Sequence, residues 1–304
     1  MNPLIIHILP QNSTICGGIK VHYQLSEIEE ELGYNSFVAF PDLSNIPTWF
    51  KHKCDVTDYA TARVILKNYD DGLVVGWEDV EVLRSFDSVS KKVCYVQGEV
   101  FINRQERFED MSVWYSSKWN WKTIAIEGCI VNPFIDTSVF YPSEKEKFGK
   151  FPIKVLLQAR KDGIKRLEDV LQYLPHQNMF EFKILNDVPE DVFAREMREA
   201  DIFFAHSYPE GFGLPALEAM ASKTLVLGYT GGGGTDFMRS GENCFCTLDW
   251  CAVDIANFLK HISNHNESSK WVGMLERAYI KSTVWYCRER TKNQLDHAIR
   301  ELLG

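Results

Sequence analysis

The sequence predicts an α/β protein with two doubly wound parallel sheets, each wrapped by helices. Short apolar runs rich in β-branched and aromatic residues alternate with amphipathic stretches through both halves of the chain. The length of 304 residues is about twice that of a typical domain. A stretch with prolines and mixed charges, 132–151, separates the halves and has no sustained period. We therefore expect domains at 1–140 and 141–283, followed by a terminal segment at 284–304.

The individual elements follow from the same patterns. Five strands are expected in the first half: LIIHIL (4–9), NSFVAF (35–40), GLVVGW (72–77), KVCYVQ (92–97) and SVWYSS (112–117). Five more are expected in the second: IKVLLQ (153–158), FEFKIL (180–185), DIFFAHS (201–207), TLVLGY (224–229) and NCFCTL (243–248). Helices are predicted near 19–32, 163–174, 189–200, 214–222 and 251–263, and STVWYCRERTKNQLDHAIRELL is predicted to form one long helical tail.

Composition restricts the class of protein. A formal charge of −9 argues against broad binding to nucleic acid or to anionic lipid, and 45% hydrophobic with 25% charged residues is ordinary for a soluble enzyme. No apolar run approaches the about 18 residues of a membrane span, and proline breaks the opening MNPLIIHILP too early for a signal peptide. We expect a cytoplasmic protein with no transmembrane segment, and peripheral membrane contact is left open.

The eight cysteines are scattered and form no Cys-x-x-Cys pair. Cys244, Cys246 and Cys251 lie close in sequence and could be considered as zinc ligands. The strand-like NCFCTL favours the alternative, in which Cys244 and Cys246 are small hydrophobes on one face. We expect reduced thiols and no metal site.

The segment PEGFGLPALEAM (209–220) carries the clearest chemical pattern. Gly211 and Gly213 lack a Cβ, so a ligand can approach their backbone, and a proline follows at the start of a helix. The free N–H groups of such a helix start favour an anion such as a diphosphate. Glu210 precedes the helix in a loop after a strand, where ligand-binding residues concentrate. Glu218 suits a vicinal diol as a hydrogen-bond acceptor, although a glutamate in a first helical turn also has the plain explanation of the macrodipole.

HSYPEGFGLPALEAMASKTLVLGYTGGGGTDF (206–237) resembles the signature of the retaining, nucleotide-sugar-dependent group 1 glycosyltransferases of the GT-B fold. Four other segments are similar to phrases of that family: ICGGIKVHYQLSEIEEELGYNSFVAF, IVNPFIDTSVFYP, LLQARKDGIKRLEDVL and LNDVPEDVF. The resemblance implies two Rossmann-like domains facing a cleft. The second domain is expected to be compact, because the family's extra strand-helix unit before LNDVPEDVF is missing from this sequence. The resemblance also implies that the terminal helix crosses back onto the first domain.

The resemblance implies the following roles. Arg160 and Lys165 grip the leaving diphosphate, and Glu210 holds the transferred sugar; these three are the predicted catalytic residues. The predicted donor-binding residues are Glu218 at the ribose, Gly211, Phe212, Gly213, Leu214, Asn186, Val188, Gly17 and Gly18. The donor would be a UDP- or GDP-type sugar, and the acceptor a glycan, lipid-linked or other hydroxyl. No metal or other cofactor is expected, because two cations and a helix start stabilise the departing phosphate.

Some departures from the family keep alternatives open. Ala159 and Arg166 stand where the family usually has glycine, and Asn186 replaces a common glycine near the expected base site. The first domain offers Gln97 and Glu99 where many relatives have a histidine near the acceptor. A sugar-nucleotide epimerase or hydrolase would need an acid or base such as Glu99, and a non-catalytic nucleotide-sugar-binding module is a further alternative. GGGGT (231–235) is either a phosphate nest or a turn that needs close backbone approach.

Overall fold

Two parallel β-sheets organise the chain, which divides into two units. The structure is a computed structural model that describes residues 2–11, 14–44, 46–69, 71–77, 80–98 and 108–303. Unit 1 comprises Met1–Pro133 with Arg288–Gly304, and unit 2 comprises Phe134–Cys287. The two units change over after Pro133 and after Cys287, whereas the expected domain limits were 140 and 283.

The sheet of unit 1 has the strand order β3-β2-β1-β4-β5-β6-β7 in the described part of the chain, with every pair parallel. Its strands are β1 (Leu4–Ile8), β2 (Asn35–Phe40), β3 (Asp55–Asp58), β4 (Gly72–Gly76), β5 (Lys91–Val96), β6 (Ser112–Tyr115) and β7 (Cys129–Ile130). The connecting helices are α1 (Gly17–Glu31), α2 (Tyr59–Leu66), α3 (Val80–Arg84) and α4 (Lys118–Ile124). β1 is buried at every position because it lies between two neighbours and under helices.

A buried polar chain connects β1, α1 and β2 at the centre of unit 1. His7 Nε2 lies 2.9 Å from Glu29 Oε2, and His7 Nδ1 lies 2.8 Å from His22 Nδ1. The Ser36 hydroxyl donates to the same Glu29 oxygen over 2.6 Å. Burial, and next the neighbouring His7, lower the pKa of His22 well below its usual value. These histidines are therefore internal packing and hydrogen-bonding groups of the fold.

The sheet of unit 2 has the order β12-β11-β10-β8-β9, and all its pairs are parallel. Its strands are β8 (Ile153–Gln158), β9 (Phe180–Leu185), β10 (Ile202–Ala205), β11 (Leu225–Tyr229) and β12 (Phe245–Thr247). Its helices are α5 (Gly163–Leu171), α6 (Glu190–Glu199), α7 (Leu214–Ala221), α8 (Ala252–Asn264) and α9 (Ser268–Trp285). The strand order reverses between β8 and β10, and such a switch point is where ligands of doubly wound sheets bind.

The prediction of two parallel sheets with helical crossovers is confirmed, and each of the ten predicted strands is present. β3 and β7 were not predicted. β3 has the polar sequence DVTD, and β7 spans only Cys129–Ile130 at the sheet edge, so neither carries an apolar run.

The prediction of one continuous tail helix is wrong. α9 ends at Trp285, and α10 (Arg288–Leu303) begins after Tyr286 and Cys287. Tyr286 has φ of −124° and ψ of 42°, outside the helical region, and its carbonyl accepts a hydrogen bond from Ile135 N over 2.9 Å, so α9 does not continue through it. α10 then belongs to unit 1, where Arg288 pairs with Glu31 of α1 over 2.7 Å.

Candidate functional site

The turn after β8 brings a cluster of cations to the carboxyl edge of the unit 2 sheet. Lys161 and Asp162 both have left-handed backbone, with φ of 47° and 61°, and Gly163 N donates to Arg160 O over 3.0 Å. Arg160 is half-buried, whereas Lys165 is exposed on α5. Within the described residues neither of these two predicted cations forms an ion pair. Both charges are thus available to an anion.

The loop after β10 fixes Glu210 by its backbone. Glu210 N donates to Gly231 O over 2.8 Å, and Gly233 N donates to Glu210 O over 2.7 Å. The Glu210 carboxylate is half-buried and lies 3.0 Å from Lys161 Nζ, which also donates to the carbonyl of Pro209 over 2.5 Å. The cation beside Glu210 is therefore Lys161, a residue that the sequence did not single out.

The glycines of GGGGT fit closely against this same loop. A Cβ on Gly231 would lie 2.6 Å from Ser207 O and 2.7 Å from Glu210 Cβ, and one on Gly233 would lie 2.3 Å from Gly211 O. Real Cβ atoms do not approach so closely. Glycine is therefore required at these two positions because their backbone packs closely against the loop that contains Glu210, which is part of the protein and not a ligand.

α7 starts directly after that loop. Gly213 precedes the helix with φ of 99°, in the left-handed region that suits glycine, and a proline occupies the first helical turn. In the described chain, the amides of Gly213 and Leu214 have no hydrogen-bond acceptor. These N–H groups are the orphan donors of a helix start, which favour a negatively charged group.

Five predicted residues of this segment are buried, and three of them carry side chains: Phe212, Leu214 and Glu218. Phe212 packs on Phe237 and Tyr286, with ring centroids 6.1 and 5.5 Å apart, and Leu214 is 8% exposed. Their side chains belong to the core, so only their backbone is suited to a ligand. Glu218 is 5% exposed and is the fifth residue of α7, beyond the first turn. The helix macrodipole therefore does not explain Glu218, because its effect is confined to the first turn.

A partly open cavity lies at the carboxyl ends of β8, β10 and β11. It is lined by Gln158, Phe203, Phe204, Ala205, His206, Ser207, Glu210, Gly213, Pro215, Ala216, Tyr229, Thr230, Gly234, Phe237 and Met238. The lining includes the predicted residues Glu210 and Gly213 but not Arg160 or Lys165. The start of α7 and the loop that carries Glu210 therefore both line this cavity, which lies at the switch point of the sheet.

Sequence reasoning did not identify His206 and Thr230 as members of the site. His206 is 2% exposed and Thr230 is 4% exposed, and both line the cavity. Burial lowers the pKa of His206 to about 4, helped by the charges of Arg166 and Lys161. The signal that could have found His206 is its place directly after an apolar strand, on the ligand-binding edge of the sheet.

The half-buried Arg166 lies near this group. Its guanidinium stands 4.7 Å from the centroid of the Trp250 ring, and its Nη1 is buried without a hydrogen-bond partner in the described chain. Arg166 occupies the position where the family has glycine. Its side chain therefore adds a stacked cation that the family pattern does not contain.

The remaining predicted residues lie elsewhere. Asn186 is exposed and Val188 half-buried in the loop between β9 and α6, at the same sheet edge. Gly17 and Gly18 begin α1 in unit 1. A Cβ on Gly18 would lie 3.0 Å from Gln97 Oε1 and 3.1 Å from Trp77 Cζ2, so these two side chains leave little room at this position. Glu99, the candidate acid or base of the alternative functions, lies outside the described residues.

In the part of the chain that the structure describes, no three His, Cys, Asp or Glu side chains are grouped as metal ligands would be. The described helices also include none long and apolar enough to cross a membrane.

Residues 162–269 match the family model described as "Glycosyl transferases group 1". The fold is similar to that of a glycosyltransferase from Rickettsia africae ESF-5, with a TM-score of 0.79, 13% identity and coverage of 100% of this chain and 99% of that one. A sucrose-phosphate synthase from Thermosynechococcus elongatus has a TM-score of 0.76, 14% identity and 99% coverage of both chains. Anabaena HepE in complex with UDP-glucose has a TM-score of 0.76, 16% identity and coverage of 98% and 100%. Among curated proteins, none matches this sequence.

These comparisons confirm the resemblance seen in the sequence and the GT-B fold. The matched segment contains Lys165, Glu210 and Glu218, and Arg160 lies just before it. The solved structures share the fold at low identity, so the roles of individual residues stay predictions.

Proposed function

We propose that this chain, which carries a group 1 glycosyl transferase segment within a GT-B fold, transfers a sugar from a nucleotide-diphosphate sugar to a hydroxyl acceptor with retention of anomeric configuration. The observation that carries the proposal is the position of Glu210. Its carboxylate borders a cavity at the switch point of the unit 2 sheet, directly before the start of α7. A hydrogen-bond acceptor for a sugar and an anion-binding helix start are thus adjacent, as a sugar diphosphate requires.

The donor is proposed to lie along the carboxyl edge of this sheet. Its diphosphate would accept from the amides at the start of α7 and meet the charges of Arg160 and Lys165. Glu218 would accept from the ribose hydroxyls, and the loop with Asn186 and Val188 would meet the base. UDP is the first nucleotide to test, because HepE, which shares the fold, is solved in complex with UDP-glucose; GDP is the second.

The proposed chemistry needs no protein nucleophile. The acceptor oxygen attacks the anomeric carbon on the face from which the phosphate leaves, and the bond between that carbon and the phosphate oxygen breaks. The acceptor's proton passes to the departing phosphate oxygen. Arg160, Lys165 and the α7 start stabilise the charge that develops there, and one such donor is typically worth about 2.7 to 4 kcal/mol. The reaction is therefore proposed to be metal-independent and the protein cytoplasmic, where nucleotide sugars would supply it.

The first experiment screens UDP, GDP and their sugars by thermal shift and assays the tightest donor against hydroxyl acceptors. Arg160→Ala and Lys165→Ala should each lower kcat/KM by about 10² or more, because each removes charge from the leaving group. Lys260→Ala is the matched control, since Lys260 is an exposed cation on α8 that does not line the cavity. Wild-type rates in both site variants would contradict the diphosphate assignment.

Two further measurements separate the mechanism from its alternatives. NMR of the product should show the same anomeric configuration as the donor, and EDTA should leave the rate unchanged. An inverted product or a strict Mg²⁺ requirement would contradict the proposed mechanism. Donor turnover without acceptor, at a rate comparable to transfer, would instead indicate an epimerase or hydrolase.

A further inference from the structure

The cavity beside Glu210 contains two buried polar atoms that the proposed function has not used. His206 Nδ1 and Thr230 Oγ1 have almost no solvent exposure, and neither has a hydrogen-bond partner among the described residues. Both side chains line the same cavity as Glu210. Leaving such groups unpaired is costly, so both atoms would gain from a hydrogen bond to a polar ligand group or to water.

The hydrogen-bonding state of His206 follows from its surroundings. The Gln158 carbonyl lies beside the ring and favours its protonated form. Because Nδ1 has no partner among the described residues, we assign the N–H that faces this carbonyl to Nε2. Gly163 makes this geometry accessible, since a Cβ there would lie 2.3 Å from Gln158 O and 2.7 Å from His206 Nε2. The lowered pKa keeps the ring neutral at neutral pH. In this assignment Nδ1 carries a lone pair and can only accept a hydrogen bond.

The hydrogen-bonding properties of His206 Nδ1 and Thr230 Oγ1 determine which ligand group can pair with them. A diphosphate oxygen carries no proton at neutral pH, so it cannot donate to His206 Nδ1. A hydroxyl can donate to Nδ1 and accept from the Thr230 hydroxyl at the same time. Much of the remaining wall is apolar, including Phe204, Ala216 and Phe237, which suits the C–H face of a sugar ring.

We propose that His206 and Thr230 form a subsite that binds one hydroxyl of the transferred hexose and so determines which sugar the protein accepts. This inference rests on the proposed function, because it places the sugar of the donor next to Glu210. It goes beyond that function by naming two recognition residues and the hydrogen-bonding group that they require. A donor sugar without a hydroxyl at that position leaves Nδ1 unpaired and is discriminated against.

The test compares UDP with UDP-glucose and other UDP-hexoses, or GDP with GDP-hexoses if the screen selects guanine. The measured quantity is the ratio of the nucleotide Kd to the nucleotide-hexose Kd. Thr230→Val keeps the side-chain shape and removes the hydroxyl, and His206→Leu removes the acceptor. Each should lower this ratio about three- to tenfold while leaving the Kd of the free nucleotide unchanged. Thr283→Val on α9 is the control, because Thr283 bonds to Tyr279 O and does not line the cavity.

Deoxy analogues of the tightest hexose identify the hydroxyl. For wild-type protein, one deoxy analogue should have a higher Kd than the complete hexose donor. For Thr230→Val the two Kd values should be almost equal, because the variant has already lost the hydrogen bond that the missing hydroxyl would make. If His206→Leu fails to fold, Thr230→Val decides the question.

The outcomes distinguish the two proposals. No binding of any nucleotide or nucleotide sugar to wild-type protein would contradict the proposed function. Nucleotide binding with an unchanged hexose ratio in Thr230→Val would overturn this inference alone and assign the two polar atoms to bound water. Wild-type protein that binds free nucleotide as tightly as every nucleotide hexose would overturn it as well.

Discussion

His206 gives the molecule a dependence of stability on pH that can be worked out from its surroundings. Burial holds its pKa at about 4, and Arg166 and Lys161 act in the same direction, whereas the Gln158 carbonyl and Glu210 act against it. An unfolded histidine titrates near about 6.5. As pH falls from about 6.5 to about 4, the unfolded chain takes up a proton that the folded chain does not, so stability is lost in this window.

We expect the urea midpoint of wild-type protein to fall more steeply than that of His206→Leu between about pH 6.5 and about pH 4. When the midpoints are converted to free energies of unfolding, the slopes of the two proteins against pH should differ by up to about 1.4 kcal/mol per pH unit. Comparing the two proteins removes the contribution of other groups that titrate in the same range. Parallel pH profiles would show that His206 titrates alike in the folded and unfolded states, which would contradict its lowered pKa.

Glu29 is a second buried residue whose removal should have a large effect. It accepts hydrogen bonds from His7 and Ser36 at the centre of unit 1, where all three are nearly inaccessible to solvent. Glu29→Leu removes the acceptor of both hydrogen bonds, so His7 Nε2 loses its partner, while Ser36 keeps only its bond to Ser26. We expect the free energy of unfolding to fall by about 3 kcal/mol or more. Glu29→Gln keeps an amide oxygen that can accept where Glu29 Oε2 does, so it should lose less. Urea denaturation measures both, and equal losses in the two variants would refute the argument.

The sequence predicts residues well where a local motif specifies the backbone. Glu210 and Gly213 were predicted from such a motif, and the structure places both at one cavity. Lys161 and Thr230 were not predicted, because their proximity to Glu210 or to the cavity comes from the pairing of strands distant in sequence. A lysine after Arg160 or a threonine before four glycines has no distinctive local pattern, so only the fold shows their position.

At the scale of elements, the start of α7 allows a matched test of the anion site. Gly213 has φ of 99°, and a Cβ there would lie 3.3 Å from Phe237 Cζ. Gly241 has a similar φ of 81° and nothing within 4 Å of an added Cβ. Both alanine variants should lose about 1 to 2 kcal/mol of stability from left-handed backbone.

Only Gly213→Ala should also weaken nucleotide binding, because it disturbs the amides at the start of α7. Titration calorimetry with UDP measures the affinity, and urea denaturation measures the stability. If both variants bind UDP as the wild type does, the start of α7 does not hold the diphosphate. If Gly241→Ala alone weakens binding, the assignment of the site itself is wrong.

The tail shows why element boundaries are harder to predict than element types. A helical tail was predicted from Ser282 onward, and the end of α9 and all of α10 are helical, whereas the earlier part of α9 was not predicted. The break at Tyr286 and Cys287 has no glycine or proline to announce it. It arises because the Tyr286 ring packs between Phe212 and Phe237 and its carbonyl accepts from Ile135. These partners are distant in sequence, and their packing overrides local helix propensity.

At the scale of the whole molecule, the topology of each sheet was predictable because parallel strands are buried on both faces and give continuous apolar runs. The location of the site follows from that topology. The turns after β8, β9 and β10 all emerge on one edge of the unit 2 sheet, and the strand order reverses between β8 and β10. Residues as distant in sequence as Arg160, Asn186 and Glu210 therefore belong to the same edge.

This arrangement predicts which amides of the full-length protein a donor nucleotide protects. Bound UDP should slow hydrogen exchange in 159–163, 186–188 and 211–214 together, because its base and diphosphate span these three turns. Uridine, which lacks the diphosphate, should protect 186–188 and leave 211–214 unchanged, since the orphan amides of Gly213 and Leu214 would then have no anion to bind. The solvent-facing part of α8 around Lys260 is the internal reference for unchanged exchange. Equal protection of 211–214 by uridine and UDP would mean that α7 responds to something other than the phosphates, and the donor would have to be placed differently on this edge of the sheet.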